Sequence, residues 1–351
     1  MKRLLFLQKE LAAQREAGAS GPPGPRRFAV GLSFGPSSST IVHMLQSYVV
    51  TGQRNRSPAV EILAVHVDTD LTSSDVNAGA AERRMALYRE RYPLLQFKVT
   101  HLSEVLDVQT VAWSTLPLPP AEADVSPTER LRRMLDSLPS ATSRADVLRL
   151  LTRHLIVHKT MGQEQPYAAL ILGHTATRLA ALTLSEVANG RGFAVPWQIN
   201  DGPYVVTTYD GTLEEKVVSK TEFTIHYPVR ELFESEMQMF ASLTDSLKDT
   251  VVFDKSGSSV VSHKDQSIED VTARYFETLD SSFSSIVSNV VRTAGKLSRV
   301  SGSEAQCGLC GVTLDERGDS RWAGEIGDEH DAALQSRVTR LCYGCKRSVN
   351  G

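Results

Sequence analysis

Short apolar segments alternate with longer amphipathic segments over the first half of the chain, and this alternation constrains the fold more than any other feature. Four apolar segments are predicted β-strands, at 28–32, 60–67, 97–101 and 168–172. Segments with the apolar spacing of helices follow at 40–45, 80–92 and 176–187. The sequence therefore predicts an α/β fold, in which helices cover both faces of a parallel sheet and ligands bind beyond the carboxyl ends of its strands.

A further helix is predicted before the fourth strand. Ser143 fits its N-cap and Asp146 fits an acid in its first turn. The apolar stripe that follows consists of Val147, Leu148, Leu151, Leu155 and Ile156. This helix completes the alternation of strands and helices.

The distribution of Pro, Gly and Ser divides the chain into four predicted segments. Residues 1–27 form an N-terminal helix and a Pro/Gly-rich linker, and residues 28–253 form the α/β domain. Residues 254–267 are a Ser-rich flexible linker. Residues 268–351 form a C-terminal region, which starts with a helical stretch at 268–297 and ends in a tail that contains all the cysteines.

The overall charge favours no particular partner. The formal net charge is -3, so any contact with nucleic acid has to come from local basic patches. No run approaches the roughly 20 apolar residues that cross a bilayer, and the apolar start of the chain is too short for a signal peptide. We therefore expect a cytoplasmic protein without a membrane partner.

All four cysteines lie in two C-x-x-C pairs, Cys307 with Cys310 and Cys342 with Cys345. Two thiolates one tight turn apart can direct both sulfurs at one ion, so the pattern predicts a four-cysteine zinc site in a small zinc-ribbon-like segment. An iron–sulfur cluster and free thiols in a disordered tail are the alternatives. A short segment with few large apolar residues would gain stability from the metal.

The loop between the first strand and the first helix is rich in small residues. It contains Ser33, Gly35, Ser37, Ser38 and Ser39, and it lacks the lysine of a Walker A motif. Backbone N–H groups of such a loop lie at the positive end of the helix dipole, which suits a phosphate group. A plain turn between a strand and a helix explains the same residues.

In its position after the first strand, the loop at 32–39 resembles the S-G-G-x-D-S signature of PP-loop ATP pyrophosphatases, which have an adenine nucleotide alpha hydrolase-like fold. Ser33, Gly35 and Ser38 match, but Phe34 replaces a small residue and Ser37 replaces the acid. Without that carboxylate the expected magnesium ligand is missing. The resemblance implies a PP-loop scaffold with a vestigial nucleotide site, at which ATP is not expected to react.

A second segment, 173–182, resembles the G-H-N-x-D-D-x-x-E-T motif of the same proteins at the end of the fourth strand. Gly173 and His174 are retained, whereas the Asn and the acids are replaced, and Arg178 stands where a carboxylate is expected. A single His at the end of a strand is more often structural than functional. Both segments indicate a retained scaffold that has lost its chemistry.

Several segments together resemble the cytoplasmic tRNA 2-thiolation protein 2 family in its fungal form. They are the loop at 32–39, the second strand at 64–68, and the segments at 226–232, 283–293, 307–310 and 341–345. The resemblance covers most of the chain from Phe28 onward. The N-terminal cysteine cluster that is usual in the family is absent from 1–27.

This resemblance implies a function within a complex. Members of the family pair with a catalytic PP-loop subunit that thiolates the wobble uridine of tRNAs for Lys, Glu and Gln. Sulfur comes from a thiocarboxylated ubiquitin-related modifier, and the pathway is linked to protein urmylation. The chain is then expected to be the non-catalytic subunit, without enzymatic activity on its own.

The predicted RNA contacts are Arg191, which follows the second motif in a Gly-rich turn, and Arg178 within that motif. Basic residues at 83–84 and 130–133 lie among acids and are expected to be solvated helix surfaces. Two other functions remain open. One is an active ATP-dependent tRNA sulfurtransferase, which would need Asp68 or Asp70 as its carboxylate, and the other is a generic nucleotide-binding α/β protein.

Overall fold

The computed structural model describes residues 26–54, 60–72, 79–161, 167–210, 216–253, 266–299, 306–314 and 341–351. The predicted N-terminal helix and nearly all of the predicted linkers at 1–27 and 254–267 lie outside these residues. The described residues form an α/β fold around a six-stranded sheet.

Five of the six strands are parallel, as the alternation of strands and helices predicts. The strands are β1 (Arg26–Gly31), β2 (Val60–Asp68), β3 (Gln96–His101), β4 (Ala169–Ile171), β5 (Gly202–Tyr209) and β6 (Val217–His226). Their order across the sheet is β3-β2-β1-β4-β6-β5. The four strands predicted from the sequence are confirmed, each within two residues of its predicted ends.

The remaining strand, β5, lies at the edge of the sheet and is antiparallel to β6. The apolar periodicity predicts neither of these strands. Residues 217–222 of β6 are exposed, so this strand lacks the continuous apolar run that marks a strand buried on both faces. The sheet is therefore mostly but not wholly parallel, which corrects the prediction at this edge.

Helices pack on both faces of the sheet. They are α1 (Pro36–Arg54), α2 (Ala80–Arg91), α3 (Pro127–Asp136), α4 (Ala141–Met161), α5 (Ala176–Ala188), α6 (Val195–Ile199), α7 (Glu234–Leu243), α8 (Asp245–Lys248), α9 (Ile268–Ser282), α10 (Ser284–Ala294) and α11 (Tyr343–Asn350). Short 3₁₀ turns lie at Leu102–Asp107, Trp113–Thr115 and Gly192–Ala194. In the described part of the chain, no helix is both long and apolar enough to cross a bilayer.

Alternate residues of β1 separate the two faces of the sheet, because successive side chains of a strand point to opposite sides. Phe28 and Val30 are fully buried in a cluster with Leu45 of α1. Ala29, between them, is buried in a second cluster with Leu179 of α5. The prediction of helices on both faces is confirmed by this alternation.

Two predicted helices have different bounds in the structure. α4 begins before Ser143, and the hydroxyl of Ser140 accepts a hydrogen bond from the N–H of Ser143 at 3.0 Å, so Ser143 is not the N-cap. Asp146 is the sixth residue of α4 and is fully buried, so it does not lie in the first turn of the helix. The helical stretch predicted at 268–297 consists of two helices, α9 and α10, which are separated at Phe283.

The cysteine-bearing segments pack into the α/β fold. Residues 306–314 and 341–351 contribute to a third apolar cluster, which they share with α3 and α4. Leu131, Leu151 and Leu309 are fully buried in this cluster. The predicted metal ligands therefore lie against the helices of the fold.

Candidate ligand cleft and metal centre

A cleft of about 570 Å³ opens at the carboxyl ends of β1, β2 and β4. This is the edge of a parallel sheet at which ligands generally bind. The loop after β1, the end of β2 and the segment after β4 form part of its wall. α4, α7, α9 and Val252 contribute the rest. Its polar lining includes Ser33, Ser37, Ser38, His66, His174, Arg178, Glu234, Gln238 and Glu277.

The loop after β1 is held by its own hydroxyl groups. The Oγ of Ser38 accepts a hydrogen bond from the N–H of Ser33 at 3.1 Å and lies 3.0 Å from the Oγ of Ser33. The cleft is lined by four of the predicted loop residues, Ser33, Gly35, Ser37 and Ser38. Ser39 is fully buried instead, and its Oγ lies 2.6 Å from the hydroxyl of Tyr88 in α2. Ser39 therefore anchors α1 to α2, which corrects its predicted contact with a nucleotide.

Phe34 occupies a backbone position that favours glycine. Its φ is 63°, and among the described residues no other non-glycine residue has a positive φ. The ring is buried and stacks on the imidazole of His66, with 4.0 Å between ring centroids. The carbonyl of Phe34 accepts a hydrogen bond from the N–H of Val252 at 2.8 Å. Packing thus holds the loop in a conformation suited to the glycine of the signature.

Ser37 stands where the signature has its acid. Its side chain is buried, and its Oγ has no hydrogen-bond partner among the described residues. Asp68 and Asp70 do not line the cleft. The carboxylate of Asp70 accepts hydrogen bonds from the N–H and the hydroxyl of Thr72, at 2.9 and 2.6 Å. Within the described residues, the side of the cleft formed by β1 and β2 therefore has no carboxylate.

The segment after β4 lies directly against the loop after β1. A Cβ at Gly173 would come within 3.0 Å of the backbone of Ser38, so a larger residue would push the two segments apart. The ring of His174 packs edge-on against Tyr227, with 5.4 Å between centroids. Burial and the charge of Arg153 lower the pKa of His174 to about 3. A neutral, half-buried imidazole that packs against a ring fits a structural role.

Arg178 provides the positive charge at the cleft. Its guanidinium lies 3.4 Å from the carboxylate of Glu277 and 4.0 Å from that of Glu234. Glu234 also accepts a hydrogen bond from the hydroxyl of Thr175 at 2.9 Å. Both acids that line the described cleft are therefore close to Arg178. The side chain of Arg178 is 41% exposed, and its contact with RNA stays a prediction.

Arg191 is fully buried and does not line the cleft. Its guanidinium donates hydrogen bonds to Asp146 of α4 and Glu186 of α5, at 2.8 and 2.9 Å. Although burial alone would raise it, the guanidinium groups of Arg191 and Arg149 lower the pKa of Asp146. A buried guanidinium between two carboxylates cannot reach an RNA phosphate, which corrects the predicted RNA contact of Arg191.

These ion pairs belong to a network that sequence patterns do not mark. Arg149 pairs with Asp146, Glu186 and Glu269. The hydroxyl of Ser348 in α11 donates to the carboxylate of Asp146 at 2.6 Å, across 202 residues of sequence. The sequence offers one local signal, because Asp146 directly precedes the apolar stripe of the predicted helix.

The four cysteines form a compact and buried group. All four Sγ atoms lie within 4.8 Å of one another. Each cysteine is at most 3% exposed. The structure therefore brings together the four ligands that the sequence predicts, which are Cys307, Cys310, Cys342 and Cys345.

Each C-x-x-C pair is a tight turn. In the first, the N–H of Gly311 donates to the carbonyl of Cys307 at 2.9 Å, and Gly311 has a φ of 70°, which favours glycine. In the second, Cys342 is the N-cap of α11 and Cys345 lies in its first turn. The N–H of Cys342 donates to the Sγ of Cys307 at 3.3 Å, which stabilises a thiolate at Cys307.

The spacing of the sulfurs fits a single tetrahedral ion. With zinc–sulfur bonds of about 2.3 Å, two ligands of a tetrahedral site lie about 3.8 Å apart. The Sγ atoms of Cys310 and Cys342 are 3.8 Å apart. A [4Fe–4S] cluster places four irons between its thiolates and needs a wider spacing. The cysteines can therefore bind a metal ion, and their spacing is that of a mononuclear site.

Comparison with known proteins assigns the chain to a family. The family model described as cytoplasmic tRNA 2-thiolation protein 2 matches residues 267–339. The protein of that name from Phaeosphaeria nodorum is 34% identical over an alignment of 357 positions. This alignment covers 97% of this chain and 86% of the relative. The protein of the same name from Sclerotinia sclerotiorum is 34% identical over an alignment of 281 positions. This alignment covers 78% of this chain and 70% of the relative. The chain belongs to the cytoplasmic tRNA 2-thiolation protein 2 family.

The segment matched by the family model contributes to both the cleft and the metal centre. It contains α9 and α10 and the first C-x-x-C pair. Glu277 of α9 lines the cleft, and Asp280 of α9 accepts a hydrogen bond from the hydroxyl of Thr177 in α5 at 2.9 Å. In this member of the family, the described residues of the segment, 267–299 and 306–314, are therefore part of the α/β fold.

Two solved structures show a weaker likeness to the chain. U34-tRNA thiolase NcsA from Methanococcus maripaludis, solved with its [4Fe-4S] cluster, has a TM-score of 0.45 and 13% identity, with 88% of each chain covered. NAD+ synthetase from Burkholderia pseudomallei has a TM-score of 0.40 and 14% identity, with 84% of this chain and 83% of that chain covered. At this level of similarity, neither structure informs the chemistry of this family member.

Proposed function

We propose that the chain is the non-catalytic subunit of the cytoplasmic machinery that 2-thiolates the wobble uridine of tRNAs for Lys, Glu and Gln. Its partner in a heterodimer is a catalytic PP-loop subunit, which adenylates the uridine. Sulfur comes from a thiocarboxylated ubiquitin-related modifier, and through this pathway the chain contributes to protein urmylation. Membership of the tRNA 2-thiolation protein 2 family supports the pathway.

The missing carboxylate at Ser37 is the observation that carries the non-catalytic role. Adenylation leaves negative charge on a pyrophosphate, and a magnesium ion that neutralises it is bound by carboxylate oxygens. Ser37 offers a hydroxyl at this position. Glu234 and Glu277, the acids elsewhere in the described cleft, are close to Arg178. A magnesium–ATP complex therefore lacks a free carboxylate ligand among the described residues that line the cleft.

The competing function is an active ATP-dependent tRNA sulfurtransferase. It requires Asp68 or Asp70 to reach the nucleotide, and neither residue lines the cleft. The hydrogen bonds from Thr72 lower the pKa of Asp70 and hold its carboxylate in the turn after β2. The geometry therefore favours the non-catalytic role, and family membership disfavours a generic nucleotide-binding protein.

In this proposal the four cysteines bind zinc, which has a structural role. A site with four protein ligands leaves no open position at which a substrate could bind. The zinc would join the turn that contains Cys307 and Cys310 to α11, which carries Cys345. No step of thiolation is assigned to it.

The test is reconstitution of wobble-uridine thiolation with this chain alone, the catalytic partner alone, and both together. Each reaction contains ATP, the thiocarboxylated modifier and a substrate tRNA, and 2-thiouridine is measured after nuclease digestion. We expect the product only in the mixture, and a tRNA with cytidine at the wobble position serves as the negative control. Thiolation by this chain alone would contradict the non-catalytic role.

A further inference from the structure

The buried network around Arg191 lies beside the metal centre and connects it to two helices of the fold. Arg191 donates hydrogen bonds to Asp146 in α4 and to Glu186 in α5. Its Nη1 atom also lies 4.0 Å from the Sγ of Cys345, within reach of a long N–H···S hydrogen bond. Because Arg191 is fully buried, water does not screen its charge from these groups.

α11, the helix that carries Cys345, packs closely against the guanidinium side chain of Arg191. Gly344 leaves no room for a Cβ, because that atom would overlap the Cγ of Arg191. One turn after Cys345, the hydroxyl of Ser348 donates to the carboxylate of Asp146 at 2.6 Å. α11 therefore docks on Arg191 and on the acid that Arg191 binds.

The net charge of an occupied metal centre explains why a hydrogen-bond donor beside it is favourable. Four thiolates outweigh the two positive charges of a divalent ion, so the occupied centre is negative and buried. A buried charge is unfavourable unless an opposite charge or hydrogen-bond donors face it. Arg191 brings an N–H donor to the sulfur of Cys345 and shares its charge with Asp146 and Glu186.

We infer that Arg191 is a positioning residue of the metal centre, which couples ion binding to the docking of α11. It donates to the sulfur of Cys345 and, through Asp146, holds the helix that carries this ligand. The inference rests on the proposed metal site. Loss of a group that orients a metal ligand typically lowers metal affinity about 10- to 100-fold.

The test measures Zn²⁺ affinity of the full chain by competition with a chromophoric chelator, together with the absorption spectrum of the Co²⁺-substituted protein. Arg191→Lys keeps the charge but loses the forked donor, and we expect it to weaken Zn²⁺ binding about 10- to 100-fold. The Co²⁺ bands should shift, because Cys345 is no longer held in place. Ser348→Ala is expected to have a smaller effect in the same direction.

Asn350→Ala is the matched control, because Asn350 is exposed on the same helix. Its Zn²⁺ affinity should equal that of the wild type. Thermal unfolding of apo and zinc-loaded protein separates coupling from a purely architectural role. If Arg191→Lys and Ser348→Ala lower both melting temperatures equally and leave the affinity unchanged, the inference is overturned.

Two further outcomes are decisive. If Arg191→Lys does not fold, the Zn²⁺ affinity of Ser348→Ala decides alone. This variant is expected to fold, because removal of one hydroxyl leaves every charge of the network in place. A wild-type chain that binds no Zn²⁺ overturns the inference together with the metal site. The tRNA thiolation assay is independent of this result and tests the proposed function separately.

Discussion

The cleft and the metal centre both gather side chains from distant parts of the chain, but they differ in what each has retained. At the cleft the backbone geometry is present, with Phe34 in a glycine-like conformation and Gly173 against Ser38, while Ser37 stands in place of the acid. At the metal centre all four ligands are present and buried. The cleft has therefore kept its backbone shape without the acid, whereas the metal centre has kept its full set of ligands.

α4 connects these two regions. Thr152 and Ile156 line the cleft. From the same helix, His154 places its Nε2 atom 2.6 Å from the carbonyl of Leu309 in the first C-x-x-C turn. Loss of the metal is therefore expected to loosen one wall of the cleft as well as the C-terminal segments.

Removal of one metal ligand has the largest expected effect. Cys345→Ser takes away the stabilisation by bound zinc, which amounts to about 4 kcal/mol when the free ion is at 1,000 times its Kd. We expect the free energy of unfolding to fall by about this amount or more, measured by urea denaturation with and without a chelator. The chelator should destabilise the wild type and leave Cys345→Ser unaffected. An equal response of the two proteins would show that the cysteines do not hold a stabilising ion.

Two substitutions at Phe34 test whether the cleft retains its shape through packing. Phe34→Ala removes a buried ring and is expected to cost about 3–5 kcal/mol. Phe34→Gly removes the same ring but relieves the positive φ, so it should be more stable than Phe34→Ala by about 1 kcal/mol. Urea denaturation measures both.

The same pair at Phe28, which is fully buried in β1, provides the control. There the backbone is extended, so alanine should be more stable than glycine. If glycine has no advantage over alanine at Phe34, backbone strain at this loop is not significant.

The pH dependence of stability tests the burial of His174. Burial and the charge of Arg153 lower its pKa to about 3 in the folded protein, whereas the ordinary value is 6.5. Between these values the unfolded chain binds the proton and the folded chain does not, so stability falls as the pH decreases from about 6.5 towards 3.

At pH 4.5 this difference amounts to about 2–3 kcal/mol. The free energy of unfolding of His174→Gln should therefore fall less than that of the wild type between pH 7 and pH 4.5, by about this amount. Urea denaturation at both pH values measures the difference. Identical pH dependence of the two proteins would mean that the imidazole is solvated in the folded state.

Features that depend on residues close together in the sequence could be predicted. The C-x-x-C spacing predicts the metal ligands, and continuous apolar runs predict β1 to β4. The replacement of the signature's acid by Ser37 can also be read directly from the sequence. In contrast, the exposed first half of β6 gives no apolar run, so the sequence does not predict the antiparallel edge.

Arg191 shows why long-range contacts could not be predicted. Its neighbours Gly190 and Gly192 suggest an exposed turn. Its burial depends on Asp146, 45 residues away, and on Cys345, 154 residues away. These partners meet only after α4, α5 and α11 have packed, so no sequence window contains the information.

The smallest expected effect concerns RNA binding at the cleft, where Arg178 is the proposed contact. If its guanidinium binds one phosphate, Arg178→Ala should weaken tRNA binding modestly and reduce the slope of log affinity against log salt by about 0.9. The matched control is Arg132→Ala, because Arg132 is 48% exposed and pairs with Glu129 on α3, as predicted for a solvated helix surface. Binding is measured on the assembled complex over a salt series. Equal slopes for the two variants would exclude Arg178 as a phosphate contact. A change in Arg178→Ala alone would place RNA at the cleft, which would give its shape a role without the acid that Ser37 replaces.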